Sequence, residues 1–214
     1  GMVPPRNRTD HLINVITMKI LKPEQAIKEY NIHSSNYIHE SVTFIVENDN
    51  FGLSIGTNNN ILAGTVIYTG SGYREKTVLG SDNFIGSNSI INSDAFIGNN
   101  NHLIGSCYIG FHSCIQNNIY IDFSVSISNY CTIGSYCYIG TLTPIIKDIR
   151  PFTKAFGNPC QIKGAYLAHS IIKKYNIDTI EEIKKYVSKN EIPSDTYLIS
   201  IIDEFKNQSR KKEL

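Results

Sequence analysis

From Ile55 to Ile145 every sixth residue is Ile or Leu, with Tyr73 the one departure. The series runs Ile55, Ile61, Ile67, Tyr73, Leu79, Ile85, Ile91, Ile97, Leu103, Ile109, Ile115, Ile121, Ile127, Ile133, Ile139, Ile145. Two residues before most members sits a small side chain, such as Thr65, Asn83, Ala95 or Cys107. Glycine follows at Gly56, Gly80, Gly86, Gly98, Gly110, Gly134 and Gly140. A helix repeats near 3.6 and a half-buried strand near 2, so neither explains this spacing. A period of six fits a short strand and a corner, repeated, which is the signature of a β-helix. Residues i and i−2 share one face of a strand, so the aliphatic and its small partner both point inward. Asn and Gly between them suit the corners. Burying one Ile is worth roughly 1.5–3 kcal/mol, so the stack is stable although no single hexad is. The fold class this predicts is all-β, a single-stranded parallel β-helix.

The rest of the chain divides around that block. Residues 1–37 read as an N-terminal arm, with a possible strand from His11 to Ile20 and a short helix from Pro23 to Tyr30. Residues 38–148 form the β-helix domain. Its opening, 38–53, is out of phase and turns near Glu47 to Asn50, and regular coils start near Leu53. Between Thr69 and Lys76 polar residues and glycine replace the pattern, which predicts a loop excursion from the prism. Residues 149–214 form a crossing loop and a C-terminal α-helical appendage. Its helices are expected at Ala165–Tyr175, from an Asp178/Glu181 capping box to Val187, and from Pro193 onward with Leu198, Ile201, Ile202 and Phe205 on one face. The third ends on the basic run Arg210, Lys211, Lys212.

Composition removes several function classes. A net charge of +1 gives no electrostatic case for nucleic acid. No apolar run reaches the roughly 20 residues of a membrane span. With no apolar signal core at the start, a cytoplasmic location is expected. Cys107, Cys131 and Cys137 occupy the small inward slot and read as buried hydrophobes. No Cys-x-x-Cys pair exists, so no metal site is expected. His102 and His112 are the histidines of the regular coils. Alternation and corner position put both outside the prism.

At "YCTIGSYCYIG" and "KDIRPFTKAFGNPCQIKG" the chain resembles the hexapeptide-repeat acyltransferases, in particular bacterial UDP-N-acetylglucosamine O-acyltransferases of lipid A synthesis. The likeness covers about residues 38–210 and includes the Gly-Asn pair Gly157-Asn158 and the trailing helices. It implies a left-handed β-helix, a homotrimer with sites between subunits, and transfer from acyl-carrier protein or acyl-CoA to a sugar or nucleotide-sugar hydroxyl or amine. The thioester is a co-substrate, and no bound cofactor is implied. A histidine is suited to take the acceptor's proton at neutral pH.

The family motif runs Asn-x-His-x-x-His-Asp-Cys, with its second His as base. One registration sets His102 on the first His and Cys107 on the Cys, which leaves Gly105 at the base position and Ser106 at the Asp position. A second sets Phe111 on the base with His112 beside it. The expected base is therefore displaced under either, and His102 and His112 are the catalytic candidates. The resemblance further implies substrate contacts at Asn101, Asn117, Asn118, Asn158, Lys173 and Lys174, and a co-substrate contact at Gly157. The family's nucleotide-binding Asn and Glu are replaced by Tyr166 and Ala168. Two other readings compete: a catalytically inactive binding scaffold, and a zinc carbonic anhydrase-like enzyme, which needs three His around one metal.

Overall fold

The computed structural model describes residues 18–47, 52–70 and 76–210. The hexads wind into a three-sided prism of stacked parallel strands. The first face carries Thr43–Val46, Val66–Thr69, Ile90–Ile91, Tyr108–Ile109, Ser126–Ile127 and Pro144–Ile145. The second carries Leu53–Ile55, Thr77–Leu79, Phe96–Ile97, Cys114–Ile115 and Thr132–Ile133. The third carries Tyr37–Ile38, Asn60–Ile61, Phe84–Ile85, His102–Leu103, Tyr120–Ile121, Tyr138–Ile139 and Thr153–Phe156. In a regular coil, corner contacts join residues 18 apart, which is three hexads. Each inward aliphatic therefore sits on the next: Ile97 on Ile115, Leu103 on Ile121, Ile109 on Ile127. All six are completely buried.

The corners explain the polar part of the hexad. From Asp82 to Leu142 every sixth residue, three after the inward aliphatic, has positive φ. Asn, Asp and His enter this left-handed region more readily than most residues. Here they define three edges. The first edge, between first and second faces, carries Asp94, His112 and Tyr130. The second carries Asn58, Asp82, Asn100, Asn118 and Tyr136. The third carries Asn88, Ser106, Ser124 and Leu142. The glycine after the aliphatic has a separate cause. A Cβ on Gly86 would stand 1.9 Å from the Ile104 carbonyl oxygen of the next coil.

Inside the second edge a file of asparagines ties coil to coil. Asn59 Oδ1 accepts from the Asn83 N–H at 2.9 Å, and Asn83 Oδ1 from the Asn101 N–H at 2.9 Å. Asn101 Oδ1 accepts from the Ile119 N–H at 2.9 Å, and its Nδ2 donates to the Gln116 carbonyl at 2.8 Å.

Several boundaries differ from the sequence expectation. The prism begins at Tyr37–Ile38 and Thr43–Val46, which pair in parallel with Asn60–Ile61 and Val66–Thr69. Lys19–Leu21 adds antiparallel to Thr43–Val46, and helix α1, Pro23–Glu29, packs beside it through buried Ala26. Residues 19–37 thus belong to the prism's first turn rather than to a separate arm. The next described strand after Val66–Thr69 on the first face is Thr77–Leu79 on the second, and position 73 lies outside the described residues. That coil has contacts 24 residues apart, six more than the regular coils that follow it. An insertion one hexad long preserves the phase and hides itself in the sequence. Residues 71–75, which hold most of the expected excursion, lie outside the described residues, as do the turn at 48–51, residues 11–17 and the basic run at 211–212.

After Ile145 the prism continues. Ile149 bridges to Ile133, Thr153–Phe156 pairs in parallel with Tyr138–Ile139, and Gln161–Ala165 returns antiparallel. That last strand takes Ala165, the residue expected to open a helix, and helix α2 is shorter, His169–Lys174. Helix α3, Ile177–Lys189, is capped by Asn176, whose side chain accepts from the Thr179 N–H at 2.9 Å. This cap replaces the expected Asp178/Glu181 box. Helix α4, Thr196–Arg210, starts under Asp195, which accepts from the N–H groups of Tyr197 and Leu198. Ile171, Ile183, Tyr186, Val187, Leu198, Ile201 and Ile202 pack these helices against Tyr136 and Phe152.

Candidate active site

The first edge of the prism carries an acid–base pair. His112 holds its corner at φ 52°. Its Nε2 lies 3.5 Å from Asp94 Oδ2, one coil below. The Asp94 side chain is fully buried while that of His112 is 19% exposed, so the imidazole is the solvent-facing member of the pair. The His112 ring stacks on Tyr130, one coil above, with centroids 5.0 Å apart and planes 9° from parallel. The Asp94 N–H donates to Thr77 Oγ1 at 3.1 Å, and Ser93 Oγ donates to the Glu47 carboxylate at 3.0 Å. A buried carboxylate is costly unless it is paired. A ring held between a carboxylate and an aromatic face has a fixed orientation, which a proton-transfer group requires.

His102 lies elsewhere. It stands outward on the third face, opposite the first edge. Its ring is one rung of an aromatic file, 6.2 Å from Phe84 and 6.1 Å from Tyr120, and Tyr138 follows at 5.7 Å. Among the described residues His102 makes no ion pair. The two candidate histidines are not brought together.

No protein-family model matches the chain. Curated relatives include the acyl-[acyl-carrier-protein]–UDP-N-acetylglucosamine O-acyltransferases of Aliivibrio salmonicida and Aliivibrio fischeri. Each is 28% identical over 101 residues, covering 39% of this chain and 38% of the relative. The match thus spans under two fifths of those relatives' length. Over that stretch the chain is similar to hexapeptide-repeat acyltransferases. Among solved structures, WeeI from Acinetobacter baumannii AYE is similar at TM-score 0.52 and 14% identity, over 65% of this chain and 63% of that one. A variant of AntD, an N-acyltransferase from Bacillus cereus in complex with dTDP and coenzyme A, is similar at TM-score 0.51 and 11% identity, over 72% and 94%. These two likenesses are of fold.

Within this hexapeptide-repeat chain the other candidate residues scatter. Asn101 is completely buried, and both polar ends of its side chain join coils. Asn117 and Asn118 are partly exposed on the second edge, where Asn117 Oδ1 accepts from the Asn99 N–H at 2.8 Å. Lys174 Nζ stands 3.7 Å from the ring centroid of Tyr197 and 5.1 Å from that of Tyr175. Lys173 is exposed beside it at the end of α2, in the helical cluster built on Tyr136. The lysine pair is therefore on a different edge from His112. Gly157, at φ 101°, donates its N–H to Thr143 Oγ1 at 3.1 Å, and Asn158 follows it at the rim of a cleft. Sequence reasoning missed Asp94. Its signal was its place 18 residues before His112, in the same slot of the hexad.

The cysteines are poorly placed for nucleophilic chemistry. Cys107, Cys131 and Cys137 are buried in the core, and outward-facing Cys114 is buried as well. Burial pushes the Cys137 thiol up to about 12, and it raises Cys107 and Cys160 too. The thiolate is the reactive form, so a raised thiol reacts slowly at neutral pH. Only Cys160 is partly exposed. A maleimide at pH 7.5 is therefore expected to modify Cys160 alone in the folded protein and all 5 cysteines in denaturant, read by intact mass. Labelling of Cys137 in the native state would contradict the packing.

Proposed function

We propose that the protein moves an acyl group from an acyl-carrier-protein or CoA thioester to a hydroxyl or amine of a sugar, with His112 as general base. The observation that carries this is the His112–Asp94 pair, 3.5 Å apart on the first edge, with the His112 side chain 19% exposed and that of Asp94 fully buried. In this scheme His112 takes the proton from the acceptor O–H or N–H as that atom attacks the thioester carbonyl. The new C–O or C–N bond forms, the C–S bond breaks, and the thiolate takes the proton back from the imidazolium. Asp94 fixes the ring and offers the imidazolium an opposite charge.

The left hand of the coil, the trimer and a cytoplasmic setting belong to the same proposal. They are supported by the likeness to acyltransferases and by outward catalytic groups on a prism whose interior is packed. A groove at the first edge is completed by a neighbouring copy in this reading. In this reading a nucleotide-linked acceptor reaches exposed Lys173, Asn117 and Asn118, which lie on a different edge from His112, only where a neighbouring copy supplies them; Asn158 is a further polar contact.

The test is thiol release from acetyl-CoA, longer acyl-CoAs and acyl-carrier protein in the presence of amino sugars and UDP-N-acetylglucosamine, with the particle mass read by light scattering. Release that needs an acceptor, from a particle of three chains, is the expected result. No release with any donor would favour the binding-scaffold reading, and a stable monomer would remove the shared groove.

A further inference from the structure

Two tyrosines stand in the corner slot that has positive φ, Tyr130 at 63° and Tyr136 at 60°. A bulky side chain enters this left-handed region at a cost that Asn and Asp largely escape. The backbone does not ask for tyrosine there. The Tyr130 N–H donates to the Phe111 carbonyl at 2.8 Å, just as the Asn118 N–H donates to the Asn99 carbonyl at 3.0 Å. Tyr136 offsets its cost by packing. It is 8% exposed, its ring lies 5.6 Å from that of Phe152, and its hydroxyl meets that of Tyr197 at 3.1 Å. Tyr130 has no such burial, being 53% exposed. Among the described residues its ring meets one other ring, that of His112. Strain held in an exposed residue against a candidate base points to function rather than to packing.

The stack has a definite chemistry. With centroids 5.0 Å apart and planes 9° from parallel, the imidazole lies over the π face of Tyr130. That face carries negative partial charge and attracts a cation within about 6 Å. A neutral imidazole gains little from it. In the transfer scheme the ring is neutral before the acceptor attacks, and it carries the proton until the thiolate takes it back.

We propose that Tyr130 is a positioning residue that stabilises His112 while it carries the acceptor's proton, with Asp94 at one ring edge and Tyr130 against one ring face. The attraction grows as the proton moves, so it acts on turnover rather than on substrate binding. This rests on the reading of His112 as general base, while the stack and its strain do not.

Tyr130→Asn tests it, because Asn holds the same slot at Asn88, Asn100 and Asn118. With the strain relieved, the variant should melt at the same temperature or higher. It should nevertheless turn over about 3- to 30-fold more slowly at unchanged KM, the range expected for a cation–π contact. Tyr130→Phe keeps the π face and should keep kcat within about twofold. NMR reads the stack without any substrate. The Tyr130 ring current should move the His112 ring protons upfield in the wild type and in Tyr130→Phe, and that shift should vanish in Tyr130→Asn. Loss of the shift with kcat unchanged overturns the proposal, and an inactive His112→Ala alongside it leaves the base reading standing. A Tyr130→Phe variant as slow as Tyr130→Asn overturns it too, since the hydroxyl would then be the working group. Full turnover in His112→Ala removes the base reading and this role with it.

Discussion

Replacing His112 with alanine is expected to lower kcat of acyl transfer by about 10²–10⁴-fold, the usual contribution of a positioned general base. His102→Ala is expected to leave it within about twofold, since that ring sits in an aromatic file on the far face. The pair separates two residues that look equivalent in sequence. Asp94→Asn should fall between them. It keeps the shape but removes the charge that orients His112, so kcat should drop with KM little changed. Because Asp94 is buried, each variant's melting curve must accompany its rate. Loss of turnover in His102→Ala with His112→Ala unaffected would move the site to the third face.

Why the two histidines looked alike is a matter of dimension. Alternation says whether a side chain leaves the prism, but not through which side. The edge follows only from the coil length. Eighteen residues per coil puts Asp94, His112 and Tyr130 in one column and sends His102 to another face. The same arithmetic makes the fold legible. Each inward Ile or Leu has only one neighbour above and one below, so the pattern cannot drift without leaving a hole. It also explains why the phase survives Tyr73: a coil longer by one hexad keeps the column of aliphatics in register.

The C-terminal helices lack such a constraint, and their starts are set by single caps. Asn176 and Asp195 were readable as cap residues, yet several polar residues nearby were equally good by type. The return strand Gln161–Ala165 is stabilised by pairing with Thr153–Phe156, a long-range contact that local propensity does not report. The resemblance makes Lys174 a substrate contact. Its position over the Tyr197 ring depends on α4 folding back beside α2, which no local pattern announces.

Asn101→Ala is expected to destabilise the protein by about 2–6 kcal/mol, at roughly 1–3 kcal/mol for each buried polar group left without a partner. The two groups are the Gln116 carbonyl and the Ile119 N–H, both held by the Asn101 side chain. The site is completely buried, so water cannot replace the lost amide without opening the coil. Such a loss is a large part of the roughly 5–15 kcal/mol that holds a typical domain together. Urea unfolding should show a lower midpoint with an unchanged slope, because the surface exposed on unfolding is the same. Asn101→Asp tests the geometry further. It keeps the acceptor for Ile119 but removes the donor to Gln116 and buries a charge, so it should cost at least as much as alanine. A substrate contact predicts the opposite pattern, a raised KM with the midpoint unmoved. That result would return Asn101 to the binding site and require the asparagine file to be dispensable.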